Sequence, residues 1–360
     1  MFDCDAMKDN LDDFMQILEE TAYRDCIPIK GTFELTARCN FNCNMCYVHL
    51  GEAQIQKQGR ELTNEEWLEI ARQAKDAGML YLTLTGGEIF VRPGFRELYE
   101  ALSQMGFLIS ILSNGYCINE NVIEWLQEMP PNLLRITLYG ASDETYEKVC
   151  GIKNGFTKVA HAVDLIKNTN IPFYMVSTLV KENQQDLEAM CQFANDKSVY
   201  FKVTTAVLKS NRGIDRNIEQ HRIDILDAMR PELEEKNAIK DLLAVCGSYR
   251  TSFWITWNGD LQLCAFLKDP SISILEHPFE EAWKNLILEL AKIKMPKECE
   301  GCKYGGFCAR CPGVMAVECG SCSQVDKAFC QNAKKLYEVF YKQKEEISEE
   351  SICRTSNQKN

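Results

Sequence analysis

Cys39, Cys43 and Cys46 stand at C-x3-C-x2-C spacing directly after the strand-like run Gly31–Thr36. Thiolates are soft ligands that suit iron–sulfur clusters and zinc. On a four-iron cube, three thiolates leave one iron without a protein ligand, a place where a small molecule can chelate. The competing reading of the same residues is a structural zinc with His49 as its fourth ligand. A second cysteine group follows far downstream. Cys246 and Cys264 come first, then Cys299, Cys302, Cys308, Cys311, Cys319, Cys322 and Cys330. Taken alone, Cys299–Cys311 also suits a zinc ribbon.

Composition narrows the setting. Eighteen cysteines in a chain with no secretory h-region argue for metal ligation in a reducing compartment rather than for a disulfide framework. No apolar run approaches the roughly 20 residues of a membrane span, so the expected location is the cytoplasm. The net charge of −12 gives no basic footprint for nucleic acid. Cys4, Cys26, Cys117, Cys150, Cys191 and Cys353 lack ligand spacing and read as filler or unpaired thiols.

The elements that must position the first three cysteines alternate. Strand-like runs at Gly31–Thr36, Leu80–Thr85, Phe107–Ser113, Leu133–Tyr139, Pro172–Val180 and Val199–Val207 are separated by helical patterns. Those patterns fall at Asn64–Ala77, Phe95–Met105, Glu120–Gln127, Thr157–Asn168 and Gln184–Asn195. Repeated β–α units imply a parallel sheet with helices outside it. Sites in such folds collect at the C-terminal ends of strands. There lie the cysteine loop, Gly86-Gly87-Glu88, Ser113-Asn114-Gly115 and Tyr139–Ser142. Lys181-Glu182-Asn183 reads as the start of a helix, and the charged, helical stretch near 207–245 as a solvated face, with Arg212 and Arg216 reaching a carboxylate as the alternative. From Cys246 the alternation stops, and Phe253–Leu263 reads as a β-hairpin turning at Asn258-Gly259.

A three-cysteine loop followed by Tyr47, with Gly-Gly-Glu after the next strand, resembles the radical S-adenosylmethionine (SAM) superfamily. The downstream cysteines resemble its SPASM extension, which binds auxiliary clusters. The fold this implies is α/β, a partial (β/α)6 TIM-like barrel with a small cysteine-rich C-terminal domain of β-hairpin and short helices. Expected boundaries are a helical preface at 1–30, a core at 31–240, a SPASM domain at 241–332, and a helix with a flexible tail at 333–360. The resemblance implies SAM chelated to the open iron of a [4Fe–4S] cluster on Cys39, Cys43 and Cys46. Glu88, with Gly86 and Gly87, would hold its amino group, and Ser113, Asn114 and Tyr47 would lie beside it. Reductive cleavage would yield a 5′-deoxyadenosyl radical that takes hydrogen from a substrate.

By the same resemblance, Cys299, Cys302, Cys308 and Cys330 would hold an outer auxiliary [4Fe–4S] cluster, and Cys246, Cys264 and Cys311 an inner one. The chain departs from the pattern in having two residues between Cys308 and Cys311, and in the extra Cys319 and Cys322. Cys322 can stand in for Cys311 or Cys330, so the ligand partition stays open. Enzymes of this layout act on peptides or proteins, which implies crosslinking or oxidation of a ribosomal peptide. Flavodoxin or ferredoxin would supply electrons, and a separate protein could recognise a leader. Sulfatase maturation, small-molecule dehydrogenation or epimerisation, and a zinc-stabilised scaffold without turnover are the alternatives.

Overall fold

The computed structural model describes residues 4–213, 216–224, 246, 249–294, 296–308, 311–325 and 327–356, with side chains between 14 and 341. Two compact units divide the chain: 1–222 with 247–292, and 223–246 with 293–360.

The first unit is built on a nine-stranded sheet. Its parallel strands are β1 (Lys30–Glu34), β2 (Tyr81–Thr85), β3 (Leu108–Ser113), β4 (Leu133–Thr137), β5 (Phe173–Thr178) and β6 (Phe201–Thr204), each beside the next. Five lie inside predicted runs, and β1 begins one residue before its run, at Lys30. Helix α1 (Cys4–Asp25) precedes these strands, and α2 (Glu52–Gln58), α3 (Asn64–Asp76), α4 (Phe95–Gln104), α5 (Glu120–Glu128), α6 (Asp143–Cys150), α7 (Gly155–Lys167) and α8 (Leu187–Asp196) intervene. The capping box expected of Thr63 and Glu66 starts α3. Thr63 Oγ1 accepts from Glu66 N at 3.2 Å, and Glu66 accepts from Thr63 N at 2.8 Å. The Arg60 guanidinium holds Glu66 down at about 2.

The sheet's two faces differ in chemistry. Phe33, Leu82, Leu84, Ile109, Ile111, Leu134 and Ile136 are buried, and Phe33 stacks on the fully buried Trp67 of α3 at 4.8 Å. The alternate residues Thr32, Thr83, Ser110, Arg135 and Tyr174 line an interior space of about 380 Å3. Period-2 alternation thus gives a greasy outside for the helices and a hollow, polar inside.

The hairpin differs from expectation in two ways. Its first strand, β7 (Ser252–Ile255), pairs parallel to β1 from Lys30↔Ser252 to Phe33↔Ile255, so it extends the core sheet. β8 (Asp260–Gln262) and β9 (Ile272–Ser273) continue antiparallel. The boundary expected at 240/241 therefore does not coincide with the division into units. The turn is also longer than two residues. Thr256 N donates to Asp260 O, and Gly259, at φ +97°, donates to Thr256 O, both at 3.0 Å. A turn followed by a left-handed glycine is the usual three-residue alternative. The one-turn α9 (Ile218–His221) and α10 (Phe279–Leu290) complete the described helices of this unit.

In the second unit, α11 (Pro312–Cys319) starts on Cys311, whose Sγ accepts from Val314 N at 3.4 Å. Helix α12 (Lys327–Ser356) runs past Lys342, where polar composition suggested a fraying tail. Phe307, Ala333, Leu336 and Phe340 form its core under Tyr304 and Tyr337. Residues 214–215 and 225–245 of the charged stretch lie outside the described residues. Among the described residues no helix is long and apolar enough to cross a membrane.

Candidate functional site

The loop from Thr36 to Cys46 leaves the C-terminal end of β1 and is held from three sides. On one side, the turn after β2 lies against it: Gly87 N donates to Thr36 O and Glu88 N to Arg38 O, both at 2.8 Å. Both glycines are required for this approach. A Cβ on Gly86 would sit 2.6 Å from Thr36 O, and one on Gly87 would overlap the Arg38 carbonyl and lie 2.9 Å from Cys39 Cβ. On the second side, α6 ends against the loop. Asn42 N donates to Cys150 O at 2.8 Å, Asn44 N to Val149 O at 2.9 Å and Asn44 Nδ2 to Lys148 O at 3.0 Å. These bonds satisfy carbonyls that a helix end leaves open. On the third side, Arg216 donates to Cys43 O at 3.1 Å and Asn42 Oδ1 at 2.6 Å.

Cys39, Cys43 and Cys46 line one cavity of about 310 Å3 at the strand ends, with Tyr47, His49, Gly86, Gly87, Ser113, Asn114, Arg135 and Tyr139. That volume is within the range of small-molecule sites. Burial pushes the Cys39 and Cys46 thiols up, the latter to about 11. They keep their protons until a ligated metal displaces them. Among the described residues no three His, Cys, Asp or Glu side chains are arranged to hold a single metal ion. The three sulfurs and the half-buried His49 share the wall of this one cavity.

Glu88 is placed differently from expectation. It is 1 % exposed and does not line the cavity. Its carboxylate accepts from Ser113 Oγ at 2.9 Å, Asn114 N at 2.7 Å and Phe90 N at 3.1 Å. Burial carries it up to about 7 despite those donors. The side chain holds the β3 loop, and Gly86 and Gly87 line the cavity. Asn114 in turn donates to Asn40 Oδ1 at 2.8 Å, tying the β3 loop to the cysteine loop. Tyr47 packs against Phe266 at 4.8 Å.

The solvated face expected at Arg212 and Arg216 is also corrected. Arg216 clasps the cysteine loop as above. The Arg212 side chain is 10 % exposed and pairs at 2.5 Å with Glu34, which also accepts from Trp254 Nε1 at 2.8 Å. Glu34 shares the inner face of β1 with Thr32, so its carboxylate needs a partner that helix-facing positions do not. Arg135, on the inner face of β4, was not anticipated from the sequence. Its Nε is buried with no hydrogen-bond partner, as are Arg212 Nε and Nη1. An arginine at an inner-facing position of a strand, among threonines and serines, was the available signal.

In the second unit, Cys299, Cys302, Cys308 and Cys330 line one apolar pocket of about 70 Å3 with Met315, Val325 and Phe329. Cys311 and Cys246 are neighbours in the same unit, and burial raises the Cys311 thiol. Cys322 Sγ lies 3.4 Å from Pro312 O, one residue from Cys311. Cys264 belongs to the first unit.

Residues 33–194 match the family model of the radical SAM superfamily. The chain is 26% identical over 309 residues to the antilisterial bacteriocin subtilosin biosynthesis protein AlbA of Bacillus subtilis, covering 79% of this chain and 67% of that protein. It is 27% identical over 300 residues to the sporulation killing factor maturation protein SkfB of the same organism, covering 78% and 70%. In fold it is similar to Streptococcus suis SuiB bound to S-adenosylmethionine. The TM-score is 0.63 at 17% identity, over 85% of this chain and 75% of that one.

Proposed function

Residues 33–194 being a radical SAM domain, and the chain an enzyme of the kind that cleaves SAM reductively, we propose that it matures a ribosomally made peptide by oxidising or crosslinking it. One observation carries the reading: Cys39, Cys43, Cys46, Gly86, Gly87, Ser113 and Asn114 converge on one cavity at the strand ends. Two relatives that cover most of the chain are named for antilisterial bacteriocin subtilosin biosynthesis and sporulation killing factor maturation, while a third of similar coverage, at 23% identity, is an AdoMet-dependent heme synthase.

Cys39, Cys43 and Cys46 would hold a [4Fe–4S] cluster that, when bound, supplies the electron for SAM cleavage. The remaining work falls to the protein. Gly86 and Gly87 line the cavity, while Glu88 keeps Ser113 and Asn114 in place. Arg135, with an unpartnered buried Nε on the cavity wall, is suited to a carboxylate. Tyr47, Tyr139 and Phe266 give apolar walls that exclude water from the reacting carbon. The outer auxiliary cluster would sit on Cys299, Cys302, Cys308 and Cys330, whose common pocket supports that partition. A second would draw on Cys246 and Cys311, with Cys322 as the added thiol. The setting is cytoplasmic, with flavodoxin or ferredoxin as electron donor and a separate protein as a candidate for leader recognition.

Incubation of anaerobically reconstituted protein with SAM and dithionite tests this. The expected result is 5′-deoxyadenosine, together with loss of two hydrogens from a short peptide encoded beside this gene. 5′-Deoxyadenosine formation without any modification of peptides would refute the substrate class. No 5′-deoxyadenosine would refute the cofactor assignment.

A further inference from the structure

Strands β1–β6 carry three cations, Lys30, Arg135 and Lys202, and one acid, Glu34. Lys30 pairs with Glu19, and Lys202 is exposed. Glu34 is engaged by Arg212 and by Trp254 Nε1. Arg135 Nε is buried with no hydrogen-bond partner, and no carboxylate among the described residues pairs with the side chain. We propose that Arg135 reads an acidic side chain of the peptide substrate, whose carboxylate passes through the cysteine-lined cavity and lodges in the polar space beyond it. This deepens the peptide-maturase reading above and rests on it.

Register places the guanidinium at a junction. Arg135 lies beside Leu112 of β3 and Tyr174 of β5. With Tyr47, Thr85 and Leu112 it lines both the cavity that holds the three cysteines and the interior space of about 380 Å3. Thr32, Thr83, Ser110 and Tyr174 add hydroxyl groups to that second space, and hydroxyls donate to carboxylates. Cys39, Cys43 and Cys46 do not line it, so an acid seated there is separate from the iron that they would ligate. A buried cation is costly unless an anion compensates it. A guanidinium also presents a planar fork that matches a carboxylate two bonds at a time. A glutamine of the same shape brings hydrogen bonds but no charge, so the site should tell glutamate from glutamine. An arginine kept only for packing would not.

The test uses full-length, anaerobically reconstituted protein saturated with SAM, so that SAM's own carboxylate is already placed. The probes are acetyl-Gly-Glu-Gly-amide and acetyl-Gly-Gln-Gly-amide, titrated by ligand-observed NMR. Wild type should bind the acid about tenfold more tightly than the amide. The preference should vanish in Arg135→Met and persist in part in Arg135→Lys, which keeps the charge and loses the fork. Urea denaturation checks folding: Arg135→Met removes an uncompensated charge and should be no less stable than wild type. If it does not fold, Arg135→Gln replaces it. Equal binding of the two probes by wild type, or binding of neither, would overturn the proposal. So would an acid preference that survives in Arg135→Met. Weakened SAM binding in Arg135→Met, with no acid preference in wild type, would overturn it by assigning the guanidinium to SAM. An acid preference lost with Arg135, in a protein that forms 5′-deoxyadenosine and modifies no peptide, would overturn the substrate class and not the carboxylate site.

Discussion

Replacing Gly87 by alanine adds one methyl group where the chain has no room for it. The added carbon would overlap the Arg38 carbonyl and lie 2.9 Å from Cys39 Cβ, and neither can rotate aside. The cysteine loop must back away from the β2 turn. That weakens two main-chain bonds, Gly87 N to Thr36 O and Glu88 N to Arg38 O, each worth about 1 kcal/mol net. Overpacking adds about 1–3 kcal/mol, so the closed loop is disfavoured by about 3–5 kcal/mol. At about 1.4 kcal/mol per tenfold, a closed loop loses at least a hundredfold in relative population. The strain falls on the loop, because β1 and β2 keep their pairing from Lys30↔Tyr81 to Glu34↔Thr85. Far-UV circular dichroism should therefore be unchanged. Anaerobic reconstitution followed by iron and sulfide analysis and EPR with SAM should show the SAM-responsive signal lost and the remaining iron retained. Gly51→Ala is the control, since its methyl would meet only Gln54 Oε1, at 3.6 Å. A Gly87→Ala protein that keeps the signal at wild-type intensity would refute the claim that the two glycines exist to seat the cysteine loop.

Glu88 gives a pH dependence. Its folded carboxyl is raised to about 7, so folding is favoured by its protonation. That contribution is full below about 4.5 and is lost as pH rises through 7, up to about 3 kcal/mol. Urea denaturation of the reduced, cluster-free protein should show wild type losing stability from pH 5 to 8 relative to Glu88→Gln; parallel curves would contradict this. Arg212→Met leaves Glu34 buried without its partner and should cost about 3–5 kcal/mol. The double variant with Glu34→Leu should recover most of that in the same assay, and a single-variant loss under about 1 kcal/mol would refute the pairing. Cys302→Ala should remove one cluster's iron and sulfide while leaving the SAM-responsive EPR signal intact; loss of that signal would contradict the partition.

The strand–helix alternation was legible because each parallel strand is a short β-branched or apolar run bounded by turn residues. Helix α6 was missed despite its Ser142 cap, which accepts from Thr145 N at 3.1 Å. Its eight residues carry too short a pattern to stand out from a loop. The cysteine triplet and Gly-Gly-Glu could be read because their spacing is a local property. What Glu88 does could not, because its partners Ser113 and Asn114 come from the next strand. Arg212 and Arg216 looked solvated for a related reason. Their partners, Glu34 and the Asn42–Cys43 loop, lie more than 170 residues earlier, and no local pattern encodes such a pairing. The hairpin was visible as a hairpin, but its docking against β1 depends on which sheet edge the core leaves open.

That docking governs how the chain can be divided. The polypeptide leaves the first unit at Arg222, returns at Gly247 to lay β7 beside β1, and departs again after Lys292. A fragment truncated near residue 240 would lack the neighbour of its first strand and expose a bare row of amides and carbonyls, an invitation to intermolecular pairing. Soluble expression of the catalytic half should require the segment through Lys292.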